Sequence, residues 1–156
     1  MNWITVATTA VGIVGGAGAT LSVEHIRWRR AVADRVFQDR RDLYVDCIVT
    51  IRRAHEAMRG VSADGRTSAE LAASVREAFR ASGCDEARER MFLIDVSNEV
   101  EVAVTASYHT LREVREALAN GHGLTSNEYN TAREAHGNAT RAAREVLRRD
   151  LSANRR

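Results

Sequence analysis

The chain is 156 residues long, which suits one domain with a modest core. It has no proline, few aromatic residues and a formal net charge of +2, which favours long helices and gives no global case for nucleic-acid binding. All 23 basic residues are arginine, and the absence of lysine excludes Schiff-base lysine enzymes and the phosphate-binding loop of P-loop proteins.

The first element is an uncharged segment, residues 3–23 (WITVATTAVGIVGGAGATLSV). At about 1.5 Å per residue, a helix of this length spans the roughly 30 Å hydrocarbon core of a bilayer. The sequence therefore predicts a transmembrane helix. The residues expected at the membrane interfaces are two tryptophans that bracket the segment and three arginines that follow it: Trp3, Trp28, Arg27, Arg29 and Arg30.

The arginines also predict the orientation of this helix. They lie after the segment, and no basic side chain precedes it, so the positive-inside rule places the N-terminus outside the cell inner (cytoplasmic) membrane and the C-terminal domain in the cytoplasm. The lipid bilayer is thus an expected partner. Two alternatives stay open: a cleaved signal peptide, although the basic n-region is missing, and a buried helix, because Gly, Ala and Thr make the segment only moderately hydrophobic.

Small residues recur at every fourth position of the segment, at Thr8, Gly12, Gly16 and Thr20. Such a stripe lets two membrane helices approach closely, which predicts self-association and a homo-oligomer. The alternative is that small residues are simply common in this segment.

The remainder, residues 24–156, is predicted to be a helical stalk and bundle following an N-terminal part formed by residues 1–23. No helix breaker occurs before Gly60, and Phe37, Tyr44, Ile51 and Met58 repeat at intervals of seven, which indicates one packed face of a first helix.

Three further helices follow in the prediction. A capping box at residues 67–70 starts the second, which Gly83 ends, and Asp95 or Ser97 caps the third after a brief extended or turn segment. A capping box at residues 125–128 starts the fourth. Short connections between about four helices predict an all-α antiparallel bundle.

No motif nominates an enzyme. The chain has no Glu-x-x-His, H-E-x-x-H, C-x-x-C or G-x-S-x-G sequence, so we predict no catalytic, metal or cofactor-binding residue. Cys47 and Cys84 are expected to be reduced thiols, and His55 a hydrogen-bonded core residue. His109 and His136 could approach each other, and a pair of histidines that responds to pH stays open as an alternative.

Several stretches carry a resemblance: the Gly/Thr-rich segment, the arginine-rich helix after it, RRDLYVDCIVTIRRA, VSNEVEVAVTA and REVLRRDLS. Together they resemble small single-pass membrane-anchored helical proteins of high-GC Gram-positive (actinobacterial) bacteria or their phages. The resemblance implies membrane topology and an all-helical fold, and it implies no activity.

These features predict a protein that is not an enzyme: a membrane-anchored helical interaction or scaffold protein that presents its bundle to a cytoplasmic protein partner. The alternative is a phage-type membrane-perturbing protein, such as a holin or a superinfection-exclusion factor.

Overall fold

The computed structural model describes the backbone of residues 3–63 and 68–154 and the side chains of residues 24–63 and 68–154. Within these ranges the chain is all-α, as predicted. Its helices are α1 (Trp3–Ser62), α2 (Ser68–Ala81), α3 (Cys84–Phe92), α4 (Asn98–Ala119) and α5 (Asn127–Ala153). The chain forms two compact units, Met1–Gln38 and Asp39–Arg156, and the buried core belongs to the second.

Helix α3 is the element that the sequence did not predict. Gly83, in the left-handed conformation at φ 72°, separates it from α2, and acidic residues in its first turn complement the helix dipole. Its buried residues, Cys84, Ala87 and Met91, follow helical spacing. The predicted extended or turn segment rests on the apolar run at residues 91–94 (MFLI), and the helix divides this run, since Met91 is buried whereas Leu93 is 85% exposed.

Side-chain caps define two of the helix starts. The Ser97 hydroxyl accepts a hydrogen bond from the backbone N–H of Val100, which confirms one of the two predicted caps of α4. Helix α5 begins one residue later than predicted, because the hydroxyl of Ser126 accepts the N–H of Tyr129 at 3.1 Å. The predicted cap at Thr67 lies outside the described residues.

The core forms along the predicted stripes. Tyr44, Ile51 and Met58 of α1 are fully buried, whereas Phe37 is half-buried. All six residues predicted to form the inner face of α4 are buried: Val100, Val104, Tyr108, Leu111, Val114 and Leu118.

Helices α1 and α5 run antiparallel along one side of the bundle, because residue numbers fall along α5 as they rise along α1. At one end, the Tyr44 hydroxyl donates to the Asp150 carboxylate at 2.8 Å, and Arg40 donates to the same carboxylate at 3.3 Å. At the other end, the rings of His55 and His136 lie 5.5 Å apart. This register sets which side chains of the two helices meet.

The predicted localisation in the inner membrane, N-terminus outside and C-terminal domain cytoplasmic, is wrong. Among the residues that the structure describes, no helix is both long enough and apolar enough to cross a membrane. From Glu24 onward, α1 carries charged residues in nearly every turn, and these are costly in hydrocarbon. The prediction relied on the absence of charge in residues 3–23, a weak criterion because Gly, Ala and Thr contribute little to insertion.

Candidate functional site

A cleft of about 570 Å³ lies between α1 and α5 and is here called the seam cleft. Helix α1 contributes one wall and helix α5 the other, so the antiparallel register of the two helices builds the site. Its lining side chains are mostly polar: Ile51, Arg52, His55, Glu56, Arg59, Asn130, Arg133, Glu134, His136, Gly137, Thr140 and Arg144.

Two imidazole rings occupy the seam cleft. His55 of α1 is half-buried and His136 of α5 is buried, and their ring centroids lie 5.5 Å apart at an interplanar angle of 56°. The Nε2 atom of His55 is buried and has no hydrogen-bond partner among the described residues. The predicted hydrogen-bonded core histidine is therefore a half-buried residue of the cleft wall whose Nε2 has no hydrogen-bond partner among the described residues.

The second histidine is held by hydroxyl groups from α4 and α5. His136 Nδ1 lies 3.4 Å from the Thr110 hydroxyl and 3.5 Å from that of Thr140. The Thr140 hydroxyl in turn shares a buried hydrogen bond of 2.8 Å with Ser107. This polar chain links the seam cleft to the α4–α5 contact and orients the His136 ring.

Three of the four arginines in the seam cleft are unpaired. Arg52 forms an ion pair of 2.8 Å with Glu56 on the same helix. Arg59, Arg133 and Arg144 form no ion pair with any residue that the structure describes. Their guanidinium groups are solvent-exposed and available for carboxylate or phosphate oxygens.

The arginines and the burial together keep both imidazoles neutral at pH 7. Burial, followed by the charges of Arg59 and Arg133, lowers the pKa of His55. Burial lowers the pKa of His136 to about 4, with further contributions from His55 and Arg144, while a hydrogen bond with the Ser107 backbone opposes the change. The positive charge of the cleft therefore comes from its four arginines and is partly offset by Glu56 and Glu134.

A bound metal is not supported at this site. Among the residues described, no three histidine, cysteine, aspartate or glutamate side chains converge as ligands. Unpaired guanidinium groups next to an unsatisfied imidazole nitrogen instead suit an anion, for which they supply several donors in one place.

The other residues singled out in the sequence lie elsewhere. The side chains of Trp3, Thr8, Gly12, Gly16 and Thr20 are outside the described set. The three arginines of the predicted membrane interface are exposed, and Trp28 is 63% exposed with its ring stacked on His25, at a centroid distance of 6.2 Å. Among the residues of this group whose side chains the structure describes, neither Trp28 nor the three arginines line the seam cleft.

The structure pairs His136 with His55 and not with His109, the partner that the sequence left open. His136 meets His55, whereas His109 is exposed and lies beside the ring of Tyr108. One signal for the cleft was present in the sequence, because His55 falls on the packed face of α1. Its partner on α5 could be found only once the register of the two helices was known.

The two cysteines are unpaired and buried. Burial raises the pKa of Cys47 to about 11 and also raises the pKa of Cys84, so both remain thiols at neutral pH. Neither lines the seam cleft.

Comparisons of this chain with protein-family models, with curated proteins and with solved structures find no match.

Proposed function

We propose that this protein is a non-enzymatic helical binding module whose seam cleft holds an anionic group of a partner protein. The observation that carries the proposal is the set of three arginines without ion pairs, Arg59, Arg133 and Arg144, which line one cleft together with the unsatisfied His55 Nε2. A carboxylate that entered the cleft would accept hydrogen bonds from charged donors and would offset the repulsion between the arginines.

Catalysis fits the same residues less well. A general base works best when its pKa lies near the operating pH, whereas the pKa of His136 is lowered to about 4. Ser107 and Thr140 supply hydroxyl groups near this histidine, but they are buried and bonded to each other. The cleft therefore has the donors of a binding site without an activated nucleophile.

The experiment is a titration of the full-length protein with a fluorescein-labelled hexaglutamate peptide, followed by fluorescence anisotropy at low salt. Arg133→Gln combined with Arg144→Gln removes two positive charges from the cleft. We expect the affinity to fall by about fivefold to tenfold, since each exposed charge contact contributes up to about 1 kcal/mol.

The matched control is Arg141→Gln, an exposed arginine on the same helix that does not line the cleft. It removes one charge from α5 and is expected to change the affinity by less than about twofold. Equal losses per charge in cleft and control variants would show that the peptide responds only to overall charge, and the proposal would then fail.

A further inference from the structure

The seam between α1 and α5 continues beyond the arginines as a second concavity of about 270 Å³, here called the apolar groove. Its lining is largely hydrophobic: Tyr44, Val45, Ile48, Val49, Leu147 and Leu151, together with Arg144 and Arg148. Arg144 lines both concavities, so the apolar groove and the seam cleft are neighbouring parts of one surface.

The combined surface has the length of a short helix. It follows α1 from Tyr44 to Arg59, which is about 22 Å or roughly four helical turns at 1.5 Å per residue. Two valines on its α1 side are exposed, Val45 by 52% and Val49 by 44%. Apolar side chains next to a groove of this length are typical of surfaces that receive an amphipathic helix.

The charge distribution along the surface restricts the occupant further. One end is apolar, and the other carries the unpaired guanidinium groups of Arg59 and Arg133. A single-stranded nucleic acid would require exposed aromatic rings for base stacking, whereas the rings of this lining, Tyr44, His55 and His136, are buried or half-buried.

We infer that the occupant is an amphipathic helix of a partner protein, with glutamates or aspartates in its N-terminal half and leucine-like residues in its C-terminal half. This inference rests on the proposed function, because the acidic half is the anionic group in the seam cleft. Acidic residues are favourable near a helix N-terminus, so the partner helix runs parallel to α5 and places its apolar half against Val45 and Val49.

The test uses the full-length protein and a labelled 18-residue helical peptide with two turns of glutamate followed by two turns of leucine on one face. Two companion peptides replace all glutamates by glutamine or all leucines by serine. Val49→Ser alters the apolar groove, and its matched control is Val102→Ser, an exposed valine of α4 outside the seam.

We expect the parent peptide to bind at least about tenfold more tightly than either companion, and Val49→Ser to weaken it about threefold to tenfold while Val102→Ser changes it by less than about twofold. Equal binding of the parent and the serine companion would overturn the helix inference and leave the anionic site standing. Equal binding of the parent and the glutamine companion would overturn both proposals.

Two other results would overturn the inference alone. One is the absence of binding by the parent peptide when hexaglutamate still binds in a manner sensitive to Arg133→Gln. The other is a concentration-dependent dimer of the protein that Val49→Ser dissociates, as followed by sedimentation velocity, because the groove would then belong to a second copy of the chain.

Discussion

Two tyrosines offer a test of how hydrogen bonding, rather than burial, stabilises this bundle. Tyr44 and Tyr129 are both only 2% exposed, but their hydroxyl groups have different environments. The Tyr44 hydroxyl donates to the Asp150 carboxylate at 2.8 Å. The Tyr129 hydroxyl is buried and has no partner among the described residues. The same change, tyrosine to phenylalanine, therefore has opposite predicted consequences at the two positions.

Tyr44→Phe removes a charge-assisted hydrogen bond, which is worth about 1.5–3 kcal/mol. The Asp150 carboxylate keeps Arg40 at 3.3 Å and Asn154 at 3.2 Å as donors, so it is not left unpaired. We therefore expect the free energy of unfolding to fall by the lower part of this range, about 1.5–2 kcal/mol.

Tyr129→Phe removes a buried hydroxyl whose desolvation is not repaid by a hydrogen bond, a cost of about 1–3 kcal/mol in proteins. Relaxation around the ring recovers part of that cost, so the free energy of unfolding should rise by up to about 1 kcal/mol and should not fall. The ring itself, and hence the apolar contact, is kept in both variants.

The assay is urea unfolding followed by circular dichroism at 222 nm, with the denaturant slope compared between variants to verify that the unfolding transition is unchanged. We expect the free energies of unfolding of the two variants to differ by about 1.5–3 kcal/mol. Equal destabilisation by both substitutions would refute it, since burial of the ring would then matter more than the partner of the hydroxyl.

Two further predictions concern the core and the seam cleft. Leu111→Ala, at a fully buried position, should lower the free energy of unfolding by about 2–5 kcal/mol. Leu93→Ala, at a position that is 85% exposed, should change it by less than about 0.5 kcal/mol. Similar losses in the two variants would contradict the described core. When the pH is lowered from 7.5 to 5, the free energy of unfolding should fall by about 2 kcal/mol more for the wild type than for His136→Gln. The reason is that the unfolded histidine takes up a proton near pH 6.5, whereas the folded one does so only near pH 4. Parallel pH dependences of the free energy of unfolding for the wild type and His136→Gln in the same urea titrations would exclude a neutral buried His136.

The local pattern of the sequence determined most of the helices and much of the core. The stripe through Tyr44, Ile51 and Met58 and the inner face of α4 follow from helical periodicity, which depends only on neighbours along the chain. Helix α3 was missed because the apolar run at its end resembles an extended segment, and only packing shows that Met91 points inward and Leu93 outward. The membrane prediction rested on length, absence of charge and the flanking tryptophans and arginines, and it failed because no described helix is long and apolar enough for a span.

The seam cleft was decided by tertiary structure alone. His55 and His136 lie on different helices, and their meeting depends on the antiparallel register of α1 and α5, which is set by contacts far from either residue, such as Tyr44 with Asp150. The sequence likewise shows 23 arginines without distinguishing Arg133 from Arg141. Arg133 lines the seam cleft and Arg141 does not. This difference exists only once helices that are distant in the chain have packed together.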